Sequence, residues 1–517
     1  MLKSSGSMAA ATLTSRLLGM VREIVYARFM GDGWVAGAFQ LAFTIPNLFR
    51  RLLGEGALTA AFIPVFKEKE KTQGEAEMWR AANAVISGLV TAAAVLVALV
   101  LFGVSVALAS HHFELKTELM LRLLRVMFPY MLMVCLAALF MGMLNARGHF
   151  FIPAMGATML NVVMIAAVLW LAPHMGHGLE EKVFALAIGV LAAGVAQAAF
   201  QLPWLRREGF RYRWVSPWRD ATVGRVVRLM VPGTIGVAAF QINVLLTQSI
   251  AFWVSPQIVA SFNYAVRLME LPQGVFGISL ATYLLPTLSG LAAEKRHSDF
   301  RATLHHGLNL LVLLNLIAAA LLVALGEPIV RLLFERGQFT AESTTNVSRA
   351  LICLAPGLAA FSAVNVLARA FYALGDTKTP MQISLGCLAL NVALAAALIH
   401  PYRQAGLGLA NTITSLCNVT LLFVALKRKM GRLEMDSLWA KLPLLLVASV
   451  LAGGAAWWGT YQWENLMGHA TFILKAGAVF APAITAGMLY WLLALLFQVP
   501  AARELSDLLT RRRTALR

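Results

Sequence analysis

The chain has 517 residues; 59% are hydrophobic, only 13% are charged, and the formal net charge is +18. Soluble domains carry about 25% charged residues, so this composition excludes an ordinary water-soluble globule and leaves lipid as the solvent that fits. Nor does the basicity mark a nucleic-acid binder: Lys and Arg fall in short gaps between apolar runs, the pattern that membrane topology and anionic headgroups produce.

A spanning helix needs roughly 20 mostly apolar residues. Such runs occur at 8–29, 34–65, 83–109, 119–145, 152–172 and 183–204, then at 222–252, 257–289, 302–325, 346–370, 380–400 and 405–426, and last at 438–460 and 471–498. They predict an all-α integral membrane protein of about 14 transmembrane helices. The first run carries Arg16, Arg22 and Glu23 and has no small-residue cleavage site after a clean apolar core, so it reads as a membrane helix and not as a signal peptide. Cys135, Cys353, Cys387 and Cys417 lie far apart inside apolar runs and read as small buried hydrophobes, with no metal or disulfide spacing.

Two runs are too long and are interrupted. The second carries Pro46 and Gly54-Glu55-Gly56; the eighth carries Pro272, Gly274 and Pro286. Lipid cannot satisfy the backbone groups that Pro and Gly free, so such breaks face protein or a wet cavity. Matched breaks in two halves of a chain point to a transporter. The breaks do echo one another: Asn47, Arg50, Arg51, Glu55 and Gly56 resemble Asn263, Arg267, Glu270 and Gly274, at an offset of about 216. Met143–Pro153, with Arg147, similarly echoes Tyr372–Pro380, with Asp376, about 227 residues on. The echoes suggest a parallel repeat of two six-helix lobes, at 1–215 and 216–430. Two further helices and a basic tail then occupy 431–517.

Loop charges set the orientation. With the N-terminus inside, the inside segments hold 25 Lys and Arg residues, among them Lys67, Lys69, Arg147, Arg211, Arg213 and Arg428. The outside loops hold five: Lys116, Lys182, Arg331, Arg336 and Arg403. This is a strong positive-inside bias, and it places both termini in the cytoplasm. The tail from 500 to 517, with Leu505, Leu508 and Leu509 at helical spacing, fits either a helix on the leaflet or a solvated extension.

Charges inside spans are costly and functional by default. The first two spans hold Arg16, Arg22, Glu23, Arg28, Arg50, Arg51 and Glu55, and the eighth holds Arg267 and Glu270. Arg16 and Arg22 are six residues apart, about 120° around the helix, so both can line one broad wall. Ion bridges with Glu23 are the competing reading. Arg28 sits where it can snorkel to the interface. Of the neighbours Arg50 and Arg51, one can face a cavity while the other pairs with Glu55 or reaches the interface. The guanidinium fork fits phosphate bidentately, so several arginines around one cavity imply an anionic ligand, a phosphate or pyrophosphate. Asn161 and Asn391 read as interhelical hydrogen-bonding groups, and Gln241, Asn243 and Gln248 could line a cavity. Walker, His-Glu-x-x-His and Gly-x-Ser-x-Gly patterns are absent, and His111-His112 and His305-His306 have the wrong spacing for a metal face. The expectation is therefore no catalytic residue, no metal and no resident cofactor, with any drive coming from a coupling ion or the membrane potential.

The strings Thr14-Ser-Arg16-Leu-Leu-Gly19-Met-Val-Arg22-Glu23, Pro46-Asn47-Leu-Phe-Arg50-Arg51, Glu55-Gly56-Ala57 and Arg267-Leu-Met-Glu270-Leu-Pro272-x-Gly274 resemble the MurJ (MviN) family. The resemblance extends over essentially the whole chain. It implies a V-shaped, two-lobed fold of the MOP exporter (MATE-like) superfamily, working as a lipid II flippase of peptidoglycan synthesis by alternating access. It also implies that helices 13 and 14 form a groove for the undecaprenyl tail. By motif, Arg16, Arg22, Arg50 and Arg267 would engage the headgroup, Glu23 would lie near the cavity gate, and Asn47 and Glu55 would be further polar positions. Arg51 and Glu270 join Glu23 and Glu55 as gating or ion-pairing residues. The implied partners are lipid II, the surrounding membrane lipids and, as candidates, cell-wall synthesis enzymes, in the bacterial inner membrane, with no nucleic acid. One departure stands out: where many members carry an acid two positions before the aromatic of the second helix, this chain has Gly37 before Phe39. No clear carboxylate for a sodium site appears in spans 7, 11 and 12. An exporter of another lipid-linked oligosaccharide or of a drug is the alternative within the superfamily. An embedded transferase or a scaffold is the alternative outside it.

Overall fold

In lipid, each backbone N–H and C=O needs a partner inside the protein, and helices provide one locally. The computed structural model describes residues 2–52, 58–218 and 220–515, and the described residues form helices and no strand. Gly54, Glu55, Gly56 and Arg219 lie outside the described residues. The helices are α1 (Leu2–Met30), α2 (Trp34–Phe49), α3 (Leu58–Gln73), α4 (Glu75–Ser110), α5 (Leu115–Met127), α6 (Tyr130–Ala146) and α7 (Phe151–Ala166). Next come α8 (Leu179–Lys182), α9 (Phe184–Arg207), α10 (Ala221–Val254), α11 (Pro256–Pro272), α12 (Ser279–Ala293), α13 (His297–Ala324) and α14 (Gly326–Phe334). The last are α15 (Ala341–Leu354), α16 (Leu358–Ala373), α17 (Lys378–Met430), α18 (Asp436–Met467), α19 (Phe472–Leu496) and α20 (Pro500–Ala515).

Among the described residues, nine helices are long and apolar enough to cross a membrane, or ten if α5 and α6, bent by 42° at their junction, count as one span. Fourteen were expected, and the difference has physical sources. The runs at 8–29 and 34–65 hold the charged strings and the undescribed residues. The apolar part of α10 is short, Ala238–Val254. The expected spans 380–400 and 405–426 both lie in the 53-residue α17, which turns at Arg403 (φ 50, ψ −127), just after Pro401. Three contacts give this turn a hairpin register. Asp376 Oδ2 accepts from Lys429 Nζ at 2.7 Å. The Cys387 and Cys417 side chains are neighbours across the two arms. A Cβ at Gly406 would meet the Leu398 carbonyl oxygen at 2.2 Å. Each pair is equidistant from residues 402–403, so α17 is two antiparallel arms.

The chain forms two compact units, Met1–Ala260 with Arg336–Phe339, and Ser261–Glu335 with Thr340–Arg517. The division falls later than the 215/216 boundary drawn from the repeat, because α10 packs on α2, α3 and α4. In the first unit, Phe62, Phe66, Trp79, Phe210 and Phe140 form an aromatic chain with successive centroids 5.3, 5.5, 5.6 and 6.1 Å apart. It fills the space between α3, α4, α6 and the end of α9. In the second unit, Leu284, Leu304, Phe371 and Leu422 join α12, α13, α16 and the second arm of α17. Helices α18 and α19 meet through Ala448, Ala452, Ala456, Ala486 and Ala494, the small residues that let helices approach closely in lipid. Tyr490 Oη donates to the Leu313 carbonyl at 2.8 Å, tying α19 to α13. Elsewhere large apolar side chains face outward, as Leu99 and Phe102 do on α4 and Ile484, Met488 and Leu492 on α19. Lipid is the solvent that makes such faces stable.

Candidate functional site

The charged string of α1 meets the polar middle of α7. Arg22 Nη1 donates to Asn161 Oδ1 at 3.1 Å, and Nη2 donates to Glu23 Oε1 at 2.5 Å. Asn161 Nδ2 donates back to the Ser15 carbonyl at 3.2 Å, so one amide ties α1 to α7 and aims the fork. The guanidinium also lies over the Tyr26 ring, 5.4 Å from its centroid. The Arg22 and Glu23 side chains are only 13% and 10% exposed. Such a pair is desolvated, and removing one partner costs far more than the pair itself contributes. Arg22 Nε is buried and has no hydrogen-bond partner among the described residues, so the fork keeps one unused donor.

A second arginine approaches from α2. Its last turn passes into π-helical backbone at 50–52, the irregularity that commonly accompanies functional helix breaks. There Arg50 Nε donates to Asn47 Oδ1 at 2.7 Å. The wholly buried Tyr130 interacts electrostatically with both Arg50 and Arg22, and Cys135 interacts with Arg50. Tyr130 Oη has no hydrogen-bond partner among the described residues. Arg22 and Arg50 thus share a neighbourhood within the first unit. Arg16 is exposed on α1, and Arg51 is half-buried beside Arg50. Among the described residues of these strings Glu23 is the one carboxylate against four arginines; Glu55, the other expected acid, lies outside them.

In the second unit Arg267 Nη1 donates to Glu270 Oε2 at 2.8 Å, one helical turn on, with both side chains nearly half exposed. Just past them the chain again becomes π-helical, at Gln273–Ile278, before α12 resumes. Pro272 is the local cause, since it has no N–H for the ladder. Both interrupted runs therefore break into π-helix next to their charged string.

Gly37 proves to be a packing position. A Cβ there would lie 2.0 Å from the Pro256 carbonyl oxygen, closer than any side chain tolerates. The position where the resemblance implied an acid is thus a site where α2 presses on the start of α11.

Residue-by-residue reading of the sequence missed three things. Asn161 was read as interhelical glue and is also the orienting partner of Arg22. Arg147 is a hub: its Nε donates to Glu208 Oε2 at 2.8 Å, its Nη2 pairs with Glu75 at 2.9 Å, and its Nη1 pairs with Glu70. Hydrogen bonds from His149 and Arg147 hold the Glu208 carboxyl below its usual range. Arg331 is a hub in the second unit: it bonds Glu464 and Glu327, each at 2.5 Å, while Lys475 reaches Glu335 at 3.4 Å. Only the repeat echo flagged Arg147; Asn161 was legible as a hydrogen-bonding group but not as the partner of Arg22, and nothing local flagged the Arg331 hub. Among the described residues, no group of three or more His, Cys, Asp or Glu could hold a metal ion.

The sequence profile of the lipid II flippase MurJ family matches residues 26–477. A probable lipid II flippase MurJ of Vibrio cholerae serotype O1 is 33% identical over 475 residues, covering 88% of this chain and 89% of the relative. The lipid II flippase MurJ of Burkholderia cenocepacia is 34% identical, covering 93% and 95%. Among solved structures, a lipid II flippase MurJ in an inward closed conformation superposes with a TM-score of 0.75 at 21% identity, covering 94% of this chain and 98% of that one. An inward-facing multidrug resistance MATE family transporter of the MOP superfamily gives 0.66 at 13% identity, covering 83% and 98%. The fold is that of the MATE-like MOP transporters.

Proposed function

This chain belongs to the lipid II flippase MurJ family, and on that premise we propose that it carries lipid II from the inner to the outer leaflet of the bacterial inner membrane. It is a multi-pass membrane protein that moves its substrate and does no covalent chemistry. Two six-helix lobes, 1–215 and 216–430, alternate access, and 431–517 adds two helices and a tail. Both termini are cytoplasmic, which the 25-to-5 bias in loop charge supports.

The observation that carries this reading is the Arg22 cluster. Lipid II presents a pyrophosphate between an undecaprenyl tail and a sugar-peptide head. A permanently charged planar fork suits such an anion, and in a low-dielectric site it acts more strongly than in water. Arg22 is held ready by Asn161 and Glu23 and retains its Nε donor, while Arg50 is aimed by Asn47. Arg16, and Arg267 of the second unit, contribute to headgroup binding during the cycle. Glu23 and Glu270 keep the resting charge partly neutralised, so that the anion competes for the forks and can also leave. Glu55 and Arg51 serve as further gating or ion-pairing groups.

The test is depletion of the protein from its cell, followed by measurement of the lipid II accessible at the outer face. Exposure should collapse. Unchanged exposure, with no other flippase present, rejects the proposal. A cargo on the same carrier but with a different sugar would be revealed by failure to complement a peptidoglycan flippase mutant.

A further inference from the structure

We propose that the segment from Arg206 to Trp218 is a preformed docking ledge for the phosphate groups of anionic phospholipids. The leaflet involved, the cytoplasmic one, follows from the orientation proposed above; the ledge itself does not depend on it.

The segment is built, not slack. Gly209, with φ 91, ends α9, a left-handed C-terminal position that favours glycine. Phe210 then plugs into the aromatic chain of the first unit and is 1% exposed. The backbone then runs on without helix alongside α4. There Asn83 Nδ2 donates to the Arg211 carbonyl at 3.0 Å, and the Val215 N–H donates to Ser87 Oγ at 3.3 Å. The Ser87 and Tyr212 hydroxyls lie 3.3 Å apart. Pro217 closes the far end, buried against Gly88, where a Cβ would sit 3.3 Å from the proline ring. Asn83 and Ser87 are themselves buried.

What this clamp presents outward is unusual for a solvated loop. Trp214 is 60% and Trp218 77% exposed, and Tyr212 stands beside them. Arg206, Arg207, Arg211 and Arg213 are all exposed, and none is in an ion pair among the described residues. The neighbouring carboxylates are engaged elsewhere: Glu208 by Arg147 and His149, Asp220 by Arg80, and Glu68 by Arg225. The surface therefore combines uncompensated guanidinium groups with large aromatic rings.

That combination fits the headgroup level of a bilayer. Trp and Tyr concentrate there, and Arg takes phosphate in a two-pronged grip. The position along α4 agrees. Asn83, Ser87 and Gly88 lie 8 to 13 residues past Glu75, about 12–20 Å along the axis, where α4 changes from its charged first turns to an uninterrupted apolar run. An acidic protein partner would suit the arginines but would leave the rings of Trp214 and Trp218 without an apolar phase.

The test uses the purified full-length chain in phosphatidylcholine nanodiscs, titrated with phosphatidylglycerol, with bound lipid read by native mass spectrometry. The wild type should retain phosphatidylglycerol selectively. The double variant Arg211→Gln/Arg213→Gln should weaken retention about 30-fold, from about 1 kcal/mol per basic residue. Trp214→Ser should weaken it without a change of charge, and Arg428→Gln/Arg432→Gln, on the second unit, should leave it nearly intact. Melting in pure phosphatidylcholine checks that each variant folds. Equal retention by the wild type and the Arg211/Arg213 variant overturns the proposal, as does an equal loss in the Arg428/Arg432 control. Tighter capture of an acidic peptide than of phosphatidylglycerol also overturns it, in favour of a protein partner. Both leaflets of a nanodisc are open and no transport is read, so a chain that binds phosphatidylglycerol but fails to flip lipid II contradicts only the transport reading.

Discussion

Replacing Arg22 by Lys separates charge from geometry. The amine keeps the positive charge and can keep Glu23, but its one nitrogen on a shorter stem lacks the planar fork by which Arg22 now serves Glu23 Oε1 and Asn161 Oδ1 with separate nitrogens at 2.5 and 3.1 Å. The loss is one hydrogen bond to a charged group, about 1.5–3 kcal/mol, plus part of the contact over Tyr26, about 0.5–1 kcal/mol. With the side chain only 13% exposed, water recovers little of this. A loss near 2 kcal/mol corresponds to about 30-fold in an equilibrium constant. The assay is the amount of lipid II accessible at the outer face of cells that rely on the variant, with expression and melting temperature measured in parallel. Arg22→Lys should cut exposure at least about tenfold, and Arg22→Ala should be worse, because it strips Glu23 of its nearest cation at a cost of about 3–5 kcal/mol. If Arg22→Lys flips lipid II as fast as the wild type while Arg22→Ala does not, the charge suffices and the reasoning about the planar fork is wrong.

Other expectations concern the scaffold. Gly37→Asp, which supplies the acid that the resemblance implied, should destabilise the chain by about 3 kcal/mol, the upper end for overpacking, because its Cβ meets the Pro256 carbonyl; a wild-type melting temperature would contradict the close packing. Arg331→Ala should cost about 3–5 kcal/mol and loosen the hairpin between α18 and α19, raising hydrogen exchange around Glu464 and Lys475; unchanged protection there would show that the hub is ornamental. Lys429, with the Thr379 N–H and hydroxyl, holds the Asp376 carboxyl well below the usual carboxylate range, and His149 and Arg147 depress Glu208. A carboxyl lowered by folding stabilises the protein above its ordinary pKa and loses that contribution as pH falls through and below that range. Melting temperature should therefore drop between pH 5 and about pH 3, and by less in Asp376→Asn, whereas an identical drop in that variant would remove Asp376 from the account.

How much of this was legible in the sequence varies with the range of the interaction. Composition and apolar run length gave away the helical membrane fold, because both depend only on local burial. The Pro46 and Pro272 regions were legible as breaks, since a missing N–H is a one-residue property, and π-helix does occur at both: it contains Arg50 and Arg51 in the first and follows Arg267 and Glu270 in the second. Pro401 hinted at the turn inside α17, but the pairing of Asp376 with Lys429 depends on arm lengths that only the folded hairpin fixes. Arg22 is legible as a costly intramembrane charge, and the adjacent Glu23 as a candidate ion partner. That Asn161 orients it is not, since 139 positions separate the two. Gly37 looked like a lost carboxylate because a sequence does not reveal that Pro256 occupies the space. The Arg331 hub joins Glu327 on its own helix, α14, to Glu464 on α18, 133 positions away, and has no sequence signature.

The central claim is that fixed guanidinium groups hold the phosphorylated head of lipid II during its passage. The most direct measurement is translocation of lipid II by the purified chain in proteoliposomes, comparing the wild type with Arg22→Ala and Arg267→Ala proteins that melt like folded chains. The account predicts transport by the wild type and its loss in both variants. Undiminished transport by either variant would contradict it.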